Sequence, residues 1–438
     1  MVGAPSAVAT WQAGLVTTWQ AGLAYGALGL PLAFVALPLY VVLPNHYASS
    51  FGVPLATLGA LLLAVRALDA LSDPWIGRWA DRCAAHSPQR LLLTMAGAAV
   101  LLVLGFRALF FPPAWAQQHG LLAWCGAALV ISCAAYSGLS VAHQAWGARL
   151  GGDEAQRART VAWREGLALL GVLVASVLPA LAGLSVTTVV FAGLMAAAMA
   201  ALWRAPRPAA SARTAAAAAT GDRLTASPWR SAQFRSLLAV YLFNGVASAV
   251  PATLVLFFIR DRLQATAFEP LFLASYFAAG ALSMPLWLRL VARIGLARTW
   301  LAGMALAIAT FAWAAALGAG DVAAFTGVCL ASGVALGADL AVPSALLAGV
   351  IQKAGHGGRH EGAYFGWWHL VTKGNLALAA GLALPLLSWL GYQPGSQAPA
   401  ALQALALVYS LLPCALKLVA AGLLWRWAGP WTPEVRMR

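Results

Sequence analysis

Arg66-Ala-Leu-Asp-Ala-Leu-Ser-Asp-Pro-Trp-Ile-Gly-Arg-Trp-Ala-Asp-Arg82 is the stretch that decides the fold. It begins inside an apolar run that starts near Pro54, and it places Arg66, Asp69 and Asp73 at membrane depth. A charge at the centre of a bilayer costs ~2.5–3.5 kcal/mol on insertion scales. Two carboxylates and a guanidinium within eight residues therefore imply use. Asp69 and Asp73 are four positions apart, so both project from one helix face. Carboxylates that converge where water is scarce repel each other, and a bound cation or a proton relieves the repulsion. The plainer alternative is a self-neutralising charge cluster that fixes helix packing.

Working outward, the rest of the chain agrees with a membrane setting. Of its 438 residues 62% are hydrophobic and only 9% charged, where a soluble domain carries roughly 25% charged residues. A helical span needs ~20 mostly apolar residues. Twelve such spans are expected, at 22–43, 54–77, 90–112, 121–147, 162–181, 185–203, 236–259, 270–290, 298–318, 322–351, 362–389 and 402–427. Between the fifth and sixth, Gly183 and Ser185 supply the turn. The fold class is thus an all-α membrane protein of twelve transmembrane helices in two six-helix bundles.

The net charge of +14 raises a nucleic-acid partner, but the distribution of charge argues against one. Of 27 Lys and Arg, Arg66, Lys373 and Lys417 fall near or within spans, Arg107, Arg260 and Arg262 fall on one side, and 21 fall on the other. That asymmetry follows the positive-inside rule and puts both termini in the cytoplasm. No Lys or Arg precedes Arg66, so the sequence reads without a signal peptide and the first span is expected to stay. Many of the 19 Trp sit near span ends, as an interfacial belt would. The five cysteines are scattered, with no metal or disulfide spacing, and read as small apolar filler.

One segment breaks the apolar rhythm. Residues 204–234 carry Ala-Pro-Arg-Pro, an Ala/Thr tract and Ser227-Pro228, and read as a cytoplasmic linker. It separates an N-terminal bundle, 1–203, from a C-terminal bundle, 235–438. A six-plus-six plan suits an alternating-access carrier with its site at the interface near the bilayer midplane. No sequence repeat between the halves is evident. Pro31, Pro38, Pro179, Pro251, Pro285, Pro343 and Pro385 mark bends within spans.

The intramembrane polar set is short. It holds Ser137, Ser140, His143 and Gln144 in the fourth span, Asp339 in the tenth, His369, Lys373 and Asn375 in the eleventh, and Lys417 in the twelfth. Lys417 is expected to snorkel outward. A Lys373 that paired with Asp69 or Asp73 would compete with a cation, a route to coupling; a static salt bridge is the alternative. His143 and His369 could relay protons, although a lone imidazole in an apolar helix is more often simply hydrogen-bonded. Asp339 is expected to face the cavity, either binding or pairing.

At these residues the chain resembles a known family. Asp69-xxx-Asp73-Pro-xx-Gly77-xxx-Asp81-Arg82 is similar to the second-helix motif of the glycoside–pentoside–hexuronide:cation symporters, the melibiose-carrier-like group of the major facilitator superfamily. Tyr25-Gly resembles its first span. Gln144-Ala-Trp146-Gly-Ala-Arg-Leu-Gly-Gly-Asp153, Arg157 and Trp163-Arg164-Glu165 resemble its fourth-span exit and following loop. Glu361-Gly-Ala-Tyr364-Phe-Gly366 through Lys373, with Gly391-Tyr392, resembles its eleventh span. The match runs through both halves.

The resemblance implies a symporter with Asp69, Asp73, Ser72 and Ser137 as cation ligands. It implies a coupling and substrate cavity from Arg66, Ser140, His143, Gln144, Trp146, Asp339, Tyr364, His369 and Lys373. A cytoplasmic gate would draw on Asp81, Arg82, Arg157 and Arg164. No cofactor is expected; the coupling ion is Na⁺ or H⁺, and no other metal is expected. The carboxylates that clamp sugar in the family read here as Ala33 and Ser140. Because carboxylates give sugar hydroxyls bidentate acceptors, their loss, with an apolar first span from Leu28 to Leu43, favours an amphiphile such as a lysolipid. A glycoside-like solute stays open. A lipid-modifying membrane enzyme would need a clustered catalytic set at an interface, which the sequence lacks, and the paired Asp and bipartite plan speak against a channel. The expected partners are the small or lipid-like solute and membrane lipids, with no nucleic acid, in a monomer of the bacterial inner membrane.

Overall fold

The structure, a computed structural model, describes residues 18–208 and 227–427. The centre of the expected linker, 209–226, and both termini lie outside the described residues, as do the expectations attached to them.

Alanine- and leucine-rich runs set the helices, and capping residues set their ends. Thr18 Oγ1 accepts from the Ala21 amide at 3.2 Å and starts α1 (Trp19–Gly26). α2 (Gly29–Leu37) passes through a π-helical turn, Pro38–Val42, into α3 (Leu43–Phe51), which ends on Gly52 at φ 67°. α4 (Leu55–His86) carries the carboxylate pair over 32 residues, a length of about 48 Å at 1.5 Å per residue. Ser87 caps α5 (Pro88–Phe110), whose first residue is a proline that needs no amide partner there. α6 (Ala114–His119) is a short link to α7 (Leu121–Arg149).

α8 (Glu154–Arg204) starts earlier than the apolar run suggests, because Asp153 and Gln156 form a reciprocal capping box. It is interrupted at Gly183, with φ 76° and ψ 171°, the position expected for the turn. Ser231 caps α9 (Ala232–Phe257), which runs into a π-helical turn, Phe258–Arg262. α10 (Glu269–Ile294) and α11 (Leu296–Ala314) meet at Gly295. α12 (Val322–Ala341) and α13 (Pro343–Lys353) divide the expected tenth span at Pro343, which lacks an amide proton. α14 (Glu361–Trp389) and α15 (Pro399–Trp427) complete the order. Among the described residues ten helical stretches are long and apolar enough to cross a membrane, with the interrupted α8 taken as one; α4, which covers the expected span 54–77, is not among them.

The chain forms two compact units. One holds the residues up to Pro228 together with Ile351–Leu370; the other holds Trp229–Val350 and the residues from Val371. The first unit packs by close backbone approach, as membrane helices do where small residues line the contact. A Cβ added to Gly29 would meet the Arg164 carbonyl oxygen at 2.3 Å, and one on Gly171 the Leu30 carbonyl oxygen at 2.2 Å. Aromatic rings fill the space beside these contacts: Phe191 stacks on Phe34 at 5.8 Å and tilts against Phe106 at 5.0 Å. In the second unit Phe258 stacks on Tyr409 at 4.2 Å, and Phe325 joins both Phe258 and Phe272.

Candidate functional site

In the first unit Asp69 and Asp73 lie one turn apart on α4, both buried, Asp73 completely. Ser137, on α7, donates its hydroxyl to Asp69 Oδ1 at 2.8 Å. Ser72 donates to the Asp69 backbone carbonyl at 2.8 Å, so its proton is used within its own helix. Tyr136, one residue before Ser137, stands within electrostatic range of both carboxylates and beside Ser140. Sequence reasoning passed over Tyr136; its position on the Ser137 turn was the available signal. Ser140 is buried, Ala33 is half-buried, and Arg66 is exposed.

The Asp73 turn is fixed by backbone contact with the start of α14. A Cβ on Gly366 would lie 2.5 Å from the Asp73 carbonyl oxygen, and one on Gly77 2.0 Å from that of Gly362. No side chain fits there, which is why α4 presents glycine one turn below its aspartate.

At the far end of that contact, Asp81 receives the Gly362 and Ala363 amides, each at 2.7 Å, on its two carboxylate oxygens. The carboxylate thus caps the positive end of a helix nearly three hundred residues away in sequence. Arg149 Nη2 reaches the same carboxylate at 2.6 Å while its Nε holds Glu361 at 3.0 Å. All three side chains are buried. Arg149 was not among the expected gate residues, although its place in the Gln144–Asp153 motif was the available signal.

The other gate candidates disperse. Arg82 is exposed and its carbonyl accepts from His86. Arg157 donates to Gln352 at 2.7 Å. Arg164 pairs with Glu165 and lies against the Tyr25 phenol. Tyr25 and His143 exchange bonds across helices: the phenol donates to the His143 carbonyl at 3.1 Å, and His143 Nε2 donates to the Tyr25 carbonyl at 2.8 Å. Gln144 Nε2 donates to His369 Nε2 at 2.7 Å. Trp146 is fully buried, with its indole donating to Pro206 at 3.2 Å. Tyr364 meets His356 Nδ1 at 2.8 Å. In that loop burial, and then the Arg359 guanidinium, lowers the His356 imidazole from its ordinary value, against an opposing pull from Glu361.

The second unit holds Lys373, half-buried on α14, and a separate polar cluster. Asp339 Oδ1 accepts from Trp300 Nε1 at 2.9 Å and Asn244 Nδ2 at 3.1 Å. Its Oδ2 accepts from Lys417 Nζ at 2.8 Å and Ser248 at 3.2 Å. Lys417 therefore does not snorkel. It is buried and pairs with Asp339, because a carboxylate within its own unit costs less to reach than the bilayer surface.

Ten long apolar helical stretches mark a multi-pass membrane protein, and its family is one of transporters. The family model described as MFS/sugar transport protein matches residues 21–428, and the chain belongs to that family. Inner membrane symporter YicJ of Escherichia coli (strain K12) is 27% identical over 132 residues, 30% of this chain and 28% of YicJ. The chain thus aligns with less than a third of that curated relative's length. A bacterial homologue of the iron transporter ferroportin, in its outward-facing state, superposes with a TM-score of 0.69 at 17% identity over 94% of this chain and 99% of that one. The proton:xylose symporter XylE bound to 6-bromo-6-deoxy-D-glucose gives 0.65 at 13% identity over 97% and 100%. The transporter FucP in its outward conformation gives 0.61 at 15% over 91% and 98%. At these identities the likenesses carry the major facilitator fold alone.

Proposed function

We propose that the protein is a cation-coupled symporter working by alternating access, with Asp69 and Asp73 as its coupling carboxylates. The observation that carries this reading is the buried like-charged pair on one face of α4 with the Ser137 hydroxyl on Asp69. Two carboxylates one turn apart repel, and binding Na⁺ or H⁺ beside them lowers that repulsion. Lys373 is assigned to coupling, and the protein acts without catalysis or another cofactor. The interruption at Gly183 and the length of α4 support twelve spans, and the basic loops support cytoplasmic termini. Two six-span bundles, 1–203 and 235–438, would then flank the 204–234 linker in a monomer.

The proposed solute is an amphiphile such as a lysolipid, on the ground that Ala33 and Ser140 offer no carboxylates for sugar hydroxyls. A glycoside is the second reading, favoured by the family's description as sugar transport. Uptake into proteoliposomes under separate Na⁺ and H⁺ gradients tests both. Asp69→Asn and Asp73→Asn are each expected to abolish accumulation while sparing downhill exchange. Full accumulation by either variant sinks the coupling scheme, and cation-dependent uptake of an unmodified glycoside moves the solute to the second reading.

A further inference from the structure

The second unit encloses a cavity of about 200 Å³ beside the Asp339 cluster. Its walls are largely aromatic and aliphatic: Phe272 and Phe277 from α10, Phe311 from α11, Val255 from α9. Ala252 and Leu273 on its edge are exposed, which leaves a way in. For scale, an apolar cavity of about 150 Å³ holds benzene.

The polar side of this cavity holds Asp339, Lys417, Ser248, Ser332, Tyr276 and Tyr409. Asp339 is saturated, with four donors on its two oxygens. Lys417 carries three ammonium protons, and two find acceptors, Asp339 and Asn244 Oδ1, each at 2.8 Å. Tyr276 and Tyr409 also line the space. No hydrogen bond joins either phenol to another described residue, although Tyr409 is only 3% exposed. A buried tyrosine hydroxyl ordinarily finds a partner. Two phenols and one ammonium proton thus stand at a space whose other hydroxyls, Ser248 and Ser332, already donate to Asp339 and to the Cys329 carbonyl. The Lys417–Asp339 pair is already neutral, so an anion there would leave an uncompensated buried charge.

We propose that this cavity binds a small, uncharged, mostly apolar molecule that carries one hydrogen-bond acceptor, such as a carbonyl. Tyr276 and Tyr409 hold the acceptor, and the phenylalanines enclose the apolar body. The site lies wholly in the second unit and its occupancy needs no ion gradient, so it stands apart from the coupling scheme.

The test is equilibrium binding to the full chain in lipid nanodiscs. The probes are acetophenone, its isosteric hydrocarbon α-methylstyrene, and benzoate. Ser332 lines the cavity, and Ser332→Phe, which fills it, provides the partition background. Saturable binding of acetophenone over that background is expected, tighter than that of α-methylstyrene. Tyr276→Phe and Tyr409→Phe should each weaken acetophenone by roughly three- to tenfold and leave α-methylstyrene unchanged. These substitutions keep the ring packing, and an unchanged thermal unfolding midpoint checks that the unit is intact. Absence of saturable binding overturns the site. Equal binding of acetophenone and α-methylstyrene overturns the role of the phenols, and tighter binding of benzoate overturns the uncharged class.

Discussion

The two units bury carboxylates in different arrangements. In the second, Asp339 meets a lysine, an asparagine, an indole and a serine, so the charge is neutralised and every strong acceptor position is used. In the first, Asp69 and Asp73 face a like charge one turn away on their own helix, with Ser137 donating to one of them. A neutral, saturated pair is a permanent structural element. In the proposed scheme a like-charged pair changes its occupancy, because a bound cation or proton lowers the repulsion between its members. The same expense in membrane stability therefore supports architecture in one unit and, in the proposed scheme, coupling in the other.

The sharpest way to break that contrast is to unbalance the saturated cluster. Lys417→Met leaves the Asp339 charge buried without its ammonium, and losing one partner of such a pair costs ~3–5 kcal/mol. The variant should fall well below the wild type in thermal unfolding of detergent-solubilised protein. Adding Asp339→Asn removes the stranded charge and should recover most of the loss. If Lys417→Met unfolds like the wild type, the second cluster is a replaceable decoration and the contrast between the units fails.

How far each region could be read from the sequence follows from the same physics. The carboxylate pair declares itself locally, since a four-residue spacing on a helix fixes a shared face before any tertiary contact forms. Gly77, Gly362 and Gly366 were visible as part of a family pattern, and the structure gives their reason in backbone contacts that exclude a Cβ. The Gly183 turn was legible because two full spans could not be joined without one. Lys417 was not legible. Its partner lies 78 residues away on another helix, and a lysine within a span looks the same whether it snorkels or pairs. Arg149 was half-visible: it lies inside the Gln144–Asp153 motif, but nothing in sequence says that it joins Asp81 to Glu361 rather than facing water. Trp146 was grouped with the cavity by its neighbours in the motif, whereas its indole donates to Pro206 at the start of the linker.

A smaller effect sharpens the first region. When a cation sits between the carboxylates, the Ser137 oxygen can turn its lone pairs toward the ion, as hard-cation sites with oxygen ligands require. Ser137→Ala removes that oxygen and the donor to Asp69 together. It is expected to raise the half-saturating cation concentration by roughly tenfold, about 1.4 kcal/mol, with little change in the maximal rate. The readout is solute uptake against cation concentration in proteoliposomes. An unchanged half-saturation would mean that Ser137 only orients Asp69.

The smallest effect is expected at Ser72, and it discriminates most finely. Its hydroxyl donates to the Asp69 carbonyl at 2.8 Å and is half-buried, so its proton serves the α4 backbone rather than either carboxylate. Serine bonds of this kind within a helix are close to neutral for stability. Ser72→Ala should therefore shift cation half-saturation by less than about threefold, well short of the Ser137→Ala change and under ~0.7 kcal/mol. The family resemblance makes the opposite claim, since it places a cation ligand at this position. Measuring both serine variants under one Na⁺ titration and one pH titration separates the two. If Ser72→Ala weakens the cation as strongly as Ser137→Ala, the hydroxyl must leave its backbone carbonyl when the ion arrives. The α4 face would then supply three ligands from a single turn. If only Ser137→Ala matters, the cation is held between α4 and α7, and its binding draws those two helices of the first unit together.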